Sequence, residues 1–267
     1  WFRGDEEIVG AEGPVLELSN ISEADAGAYT VVVSNSAGSA TSNPAQLAVL
    51  LKPGSTLVFA EDFDSLELGP FVSDSESGGD GTDWTATAPD GWAMNPADDH
   101  GPTAGGDDVV EFDGWTFFDP VSWNATAGQN RDAFTKGTGA IAVADSDEYD
   151  DKADAKFNAA LVTPSISIAG IKAGSLILKY DSSWRQEPQQ GKVTVSYDGG
   201  EPVALLVFGP DTPTGYNDTV TVRMDNPEGA SSVVIAWDHQ GHNNWWWAID
   251  NIEITGELQP LFSENFD

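Results

Sequence analysis

Cysteine is absent from all 267 residues, so neither a disulfide nor a thiolate metal site can hold this chain together. Basic residues are scarce: 11 lysines and arginines face 44 aspartates and glutamates, a formal net charge of −33. A surface of that sign repels phosphate backbones and anionic lipid, which excludes nucleic acid as a partner and disfavours membrane docking. No apolar run reaches the 18 residues that a membrane-spanning helix needs. Long amphipathic helical patterns are missing too. So are the nucleophile-elbow, Walker and dinucleotide motifs.

What is present is alternation. Stretches of five to ten residues place apolar side chains at every second position, with most of the 28 glycines and 15 prolines between them. That pattern predicts an all-β chain of short strands and many turns. Most of the acidic excess is assigned to solubility and a small subset to cation binding, because hard carboxylate oxygens suit Ca²⁺.

The first fifty residues predict strands around Leu16 and Leu18, around Tyr29, Val31 and Val33, and through Leu47 and Val49, with a tight turn at Asn35 to Gly38. Asp25, Gly27 and Tyr29 form D-x-G-x-Y, followed by N-x-x-G at Asn35 to Gly38. This segment resembles the I-set type of immunoglobulin domain. In that family the tyrosine precedes the second core cysteine by two residues, and Val31 stands there instead. The resemblance makes Trp1 the core tryptophan of the third strand. Residues 1–50 are then a partial domain lacking its first two strands, with an apolar face exposed. No catalytic set lies in it, and it is read as a spacer.

LKPGST at 51–56 reads as a linker. Beyond it, strands are expected at 56–63, 139–145, 158–168, 175–184, 191–198, 203–208, 218–224, 232–238 and 245–255, with a hairpin turn at Asp198-Gly199-Gly200. Their spacing predicts a sandwich or jelly roll. Residues 70–135 are rich in Gly, Asp and Trp with weak periodicity. They are expected to form long loops pinned by Trp84, Trp92, Trp115 and Trp123.

Several pieces in order carry a second resemblance. Glu61, Phe63 and Asp64 give E-x-F-[DE], Gly91-Trp92 follows, and Leu161 to Pro164 gives L-x-[ST]-P. Leu176 to Tyr180, Val193 to Gly200 and a closing W-x-I-D-x-I at Trp247 to Ile252 complete the set. Residues 57–256 resemble the jelly-roll domain of the cleaved-adhesin and choice-of-anchor type in secreted bacterial proteins. The stretch before Leu161 is longer than in short family members, and versions with it resemble accessory modules of exported metallophosphoesterases. LFSENFD at 261–267 repeats VFAEDFD at 58–64, so residues 257–267 are expected to begin a following module.

The resemblance implies structural calcium between the opening and closing strands, with Glu61, Asp62, Asp64 and Asp250 as ligands. Carboxylates gathered where two strands meet repel one another, and a divalent cation relieves that. The apolar phase slips within the closing strand: Trp247 and Ile249 share one parity, Ile252 and Ile254 the other. A bulge near Asp250 would account for this. The acidic loops 74–83 and 145–151 match no calcium motif and are read as solvated.

Trp245, Trp246 and Trp247 are consecutive, so alternation sends Trp245 and Trp247 inward and Trp246 out. Trp184, Arg185, His242, Asn243 and Trp246 are the candidates for a ligand surface, set against tryptophans that merely fill the core. His239-x-x-His242 has no identifiable third zinc ligand and is read as solvated. The function expected is a non-catalytic extracellular or cell-surface module, binding a glycan or another surface ligand and flanked by further modules of the same polypeptide. The alternatives are an accessory domain of an exported hydrolase and a jelly-roll enzyme acting on polysaccharide.

Overall fold

The computed structural model describes residues 1–4, 6–11, 13–16, 18, 27–36, 38–47, 54–69, 83–95, 112, 114–125, 129–149, 157–185, 187–209, 212, 216–241 and 244–259. The repeat at 261–267 and the loop at 74–82 lie outside them, as do Asp25, His242 and Asn243. The chain is all-β and divides between Ser55 and Thr56 into two compact units.

The first unit is built on a four-stranded sheet. Strands β1 (Phe2–Arg3), β2 (Glu6–Glu7), β3 (Gly27–Thr30) and β6 (Ala45–Leu47) lie in the order β2-β1-β3-β6. A hairpin of β4 (Val32–Asn35) and β5 (Gly38–Thr41) turns where Asn35 pairs with Gly38. A strand bearing the buried Tyr29 between its sequence-distant neighbours is the pairing of one immunoglobulin sheet. Trp1 is half-buried and its Nε1 donates to Gly13 O at 2.9 Å. Leu16 and Leu18 fall in no strand. Val9, Val15 and Val33 are exposed.

The second unit is a jelly-roll sandwich of two sheets. One contains β7 (Ser55–Glu61), β8 (Trp84–Thr85), β10 (Trp115–Phe118), β11 (Ile141–Asp145), β14 (Leu176–Trp184), β17 (Tyr216–Met224) and β19 (Trp246–Glu257). Its order is β17-β14-β19-β11-β10-β8, with β7 also paired to β19. The other contains β9 (Ala93–Asn95), β12 (Phe157–Val162), β13 (Ile166–Ser167), β15 (Gln190–Tyr197), β16 (Val203–Phe208) and β18 (Ser232–Gly241), in the order β16-β15-β18-β12-β9 with β13 on β18. Alternation aims one face of each sheet at the other. Leu176, Leu178 and Tyr180 of β14 meet Val233, Ile235 and Trp237 of β18 in one buried core, where Tyr180 and Trp237 pack edge to face at 5.6 Å.

Residues 70–135 are more than loops. Their described part supplies β8, β9, β10, helix α1 (Pro120–Ala125) and a 3-10 turn at Arg131–Ala133. Trp84, Trp92, Trp115 and Trp123 are all buried. Within it, helix α1 sets Trp123 against Trp246 on the outer side of the first sheet, and residues 246–250 of β19 are all buried.

The opening and closing strands are neighbours, and the reason one edge can hold two partners is geometric. β14 follows β19 from Trp247 to Thr255 along one edge. β11 takes the other edge from Trp246 to Ile249 only, which leaves the remainder of that edge for β7. β19 also carries an extra residue there: Asp181 faces Asp250 while Lys179 faces Glu253. Asn251, at φ 52°, is the bulged residue, and the bulge produces the phase slip read from the sequence.

Candidate functional site

Acids collect where β7 ends, β11 begins and β19 bulges. Phe63 adopts the left-handed conformation at φ 59° and is fully buried, 5.1 Å from Phe117 and 5.7 Å from Trp92. Burying that ring offsets the strain, of order 1–3 kcal/mol, and turns the chain so that Asp64 follows at once. Asp64 Oδ1 accepts the N–H of Ala140 at 2.8 Å, and Asp250 Oδ2 accepts the N–H of Thr138 at 3.0 Å. Two carboxylates from opposite ends of the domain thus grip one three-residue segment.

Asp181 joins from β14. Its Oδ2 accepts Asn251 Nδ2 at 3.0 Å, and its Oδ1 accepts the hydroxyl of Thr219 at 2.5 Å. Asn251 Nδ2 also reaches Asp250 Oδ2 at 3.2 Å, and Asn251 N donates to Asp250 Oδ1 at 2.7 Å. Burial pushes the Asp250 carboxyl up to about 7. The N–H groups of Thr138 and Asn251 oppose that shift, and the charges of Asp64 and Asp181 add to it. Asp250 is buried, Asp181 half-buried and Asp64 exposed, so the group opens to solvent on one side.

The expected ligands divide. Glu61 and Asp62 are taken up in local turns: Glu61 Oε1 accepts Phe63 N at 2.9 Å and Asp62 Oδ1 accepts Asp64 N at 3.2 Å. Burial raises Glu61 above its ordinary value. Asp64 and Asp250 are brought together, with Asp181 in the company expected of Glu61 and Asp62. Among the described residues no three His, Asp or Glu side chains converge tightly enough to hold an ion as they stand. The donors are nevertheless hard oxygens from β14, β19 and the turn after β7, the set that suits Ca²⁺, with Asp64 on the open side.

A second arrangement lies where the β14–β15 and β18–β19 connections meet. The Arg185 guanidinium sits 3.7 Å from the centre of the Trp245 ring, and both residues are half-buried. Behind them Gln189 is buried. Its Oε1 accepts Trp245 N at 3.0 Å and lies 3.1 Å from His239 Nε2, while its Nε2 donates to Arg185 O at 2.8 Å. Ser146 Oγ donates to Trp245 O at 3.1 Å. The pair is therefore held from both loops.

No family model matches the chain, and no curated protein matches it. Among solved structures, the K3 cleaved adhesin domain of Lys-gingipain from Porphyromonas gingivalis is 15% identical, with 75% of this chain and 100% of that one covered at a TM-score of 0.40. The K1 cleaved adhesin domain of the same protein gives 14%, 73%, 96% and 0.41. TmCBM61, solved with β-1,4-galactotriose, gives 12%, 62%, 88% and 0.39.

Two expected ligand-surface residues are corrected by the packing. Trp184 is fully buried, edge-on to Trp247 at 5.6 Å and beside Phe208 and His239. Trp246 does point away from Trp247, but that side is covered: its ring meets Trp123 of α1 at 4.9 Å and its Nε1 donates to Gln129 O at 3.2 Å. Trp245, assigned to the core by parity, precedes the first residue of β19 and stays half-exposed under Arg185. His239 is not solvated. It is buried among Trp184, Trp247 and Phe157, and burial pushes its imidazolium down to about 3. Asp145, read as part of a solvated loop, is buried against Arg131 at 3.1 Å.

Proposed function

We propose that the second unit is a non-catalytic binding module of a larger extracellular or cell-surface polypeptide, that its ligand is a glycan, and that calcium braces its strand junction. The observation that carries the binding reading is the Arg185–Trp245 pair. It is a cation and an indole at the end of β14 and the start of β19, with both backbones held by one buried glutamine that accepts from Trp245 N and donates to Arg185 O. Rigid aromatic and guanidinium groups with little rotamer freedom left to lose are what a recognition surface needs. The perturbed titratable groups, in contrast, belong to the scaffold. Asp250 lies at a strand junction, His239 in an aromatic cage, and Tyr197 is pushed up to about 12 first by burial and then by the Asp225 charge.

For calcium, Asp64, Asp181 and Asp250 are the residues that would hold the ion, and its chemistry there is to cancel their mutual repulsion. Saturating calcium is expected to raise the melting temperature by about 8 °C over chelator, from about 2.7 kcal/mol of binding linkage and about 2–4 °C per kcal/mol for a domain of this size. A melting temperature unmoved by chelator removes the ion from this reading. A glycan array with Trp245→Ala as control tests the ligand, and a module that retains no glycan loses the binding claim.

The metal-free protein has its own signature. Asp250 takes up its proton near pH 7 in the folded state and near its ordinary 3.8 when unfolded. Between those values the native state binds the extra proton, so this group's contribution to stability falls as pH rises from about 4 to about 7 and is flat above. Asp250→Asn is expected to abolish that component in chelator. The check is the difference between wild-type and variant unfolding free energies at pH 5 and pH 8. Equal differences at the two pH values refute it.

A further inference from the structure

Arg185 stands apart from the other charges of this molecule. The chain carries 44 carboxylates for 11 cations, yet among the described residues none forms an ion pair with Arg185. The described lysines 136, 172 and 179 and arginines 131 and 223 each have a carboxylate within pairing distance, and Lys192, which forms no ion pair among the described residues either, still faces the charge of Asp238 across the strands. Arg185 instead lays its guanidinium on Trp245 at 3.7 Å. Stacking occupies the face of a guanidinium and leaves its in-plane N–H donors free at the edges.

The groups around it fix what those donors can take. Gln189 spends Oε1 on Trp245 N and His239, and one Nε2 N–H on the Arg185 carbonyl. Its acceptor oxygen is fully used, and what remains is one N–H of a buried side chain. Trp245 offers ring surface and no acceptor. Among the described residues that contact it, the site presents donors of one charge sign beside an apolar ring, which matches a planar oxyanion on a saccharide better than a row of neutral hydroxyls, each of which needs an acceptor as well.

The rest of the molecule limits how much charge that ligand can carry. With a net charge of −33, a dense polyanion is repelled wherever it lies within the screening distance, about 8 Å at physiological salt, of the acidic surface. A single carboxylate set among neutral sugars escapes that penalty and still meets the guanidinium fork. We propose that Arg185 and Trp245 form a subsite for an isolated sugar carboxylate, a uronic acid residue in an otherwise neutral glycan. This rests on the glycan-binding reading above and names the class of sugar at that site.

The test is calorimetric titration at about 0.15 M salt with two disaccharides that differ only in the acid, cellobiouronic acid and cellobiose, plus N-acetylglycylglycine as a peptide carboxylate. The wild type is expected to prefer the uronide over cellobiose by about tenfold, the size of a charge-assisted fork. Arg185→Gln should erase the preference with its melting temperature unchanged. Arg185→Lys should retain part of it, as a point charge without the fork. Equal affinity for the two sugars, or a preference that survives Arg185→Gln, overturns the subsite. Binding of the peptide carboxylate as tightly as the uronide overturns its assignment to sugar. If the array finds only neutral glycans, bound through Trp245, the subsite falls and the glycan-binding module stands. If no glycan binds at all, both fall.

Discussion

Asp145→Ala is expected to destabilise the second unit by about 4 kcal/mol, the usual cost of breaking one side of a buried ion pair. The Arg131 guanidinium is wholly enclosed. Its Nη2 lies 3.1 Å from Asp145 Oδ2, its Nη1 donates to Trp123 O at 3.1 Å, and its Cζ lies 5.4 and 5.3 Å from the centres of the Phe112 and Trp123 rings. Removing the carboxylate strands a cation among aromatic faces, whose attraction is of order 2 kcal/mol and does not replace an anion. At about 2–4 °C per kcal/mol the melting temperature should drop by about 12 °C. The double variant Arg131→Met/Asp145→Ala should be more stable than Asp145→Ala alone, because the stranded charge is then gone. A single variant as stable as the double would show that Arg131 reaches water and that the pair is not the lock between the 112–133 segment and the sheet.

That lock marks the limit of what alternation conveys. The strands from 139 onward are legible because apolar residues recur at every second position between turn residues. The bulge at Asn251 is legible because Trp247 and Ile249 disagree in parity with Ile252 and Ile254. Parity also sends Trp246 to the opposite side from Trp247, and there it lies. Parity says nothing of what covers that side. Burial of Trp246 depends on a helix at 120–125 whose own sequence, PVSWNA, shows no amphipathic repeat. Asp181 is missed for a related reason. It sits within an otherwise ordinary strand, and only the register Asp181↔Asp250 places it at the junction. One signal did exist: aspartate is depleted from strand interiors, so an Asp inside LKYDSSW asks for a partner.

Gly139→Ala is expected to cost about 4 kcal/mol and to remove any response to calcium. Thr138 N–H and Ala140 N–H donate to Asp250 and Asp64, from either side of a residue at φ +64°. A left-handed residue between two N–H groups lets both face one way, the concave donor arrangement that receives anions. A methyl at Gly139 would lie 1.7 Å from Asp64 Oδ1, so Asp64 must leave. The left-handed conformation costs a non-glycine residue about 1–2 kcal/mol, and a lost hydrogen bond to a charged group about 1.5–3 kcal/mol more. Gly170→Ala separates the two parts: its φ is +81° and an added Cβ meets nothing within 4 Å, so only the backbone penalty remains, about 1 kcal/mol. Unfolding both variants in denaturant, with and without chelator, reads the difference as the contribution of the carboxylate grip. Were the two glycine variants equally stable, the segment 138–140 would not be holding the opening and closing strands together. The calcium reading would then lose the scaffold that keeps Asp64 beside Asp250.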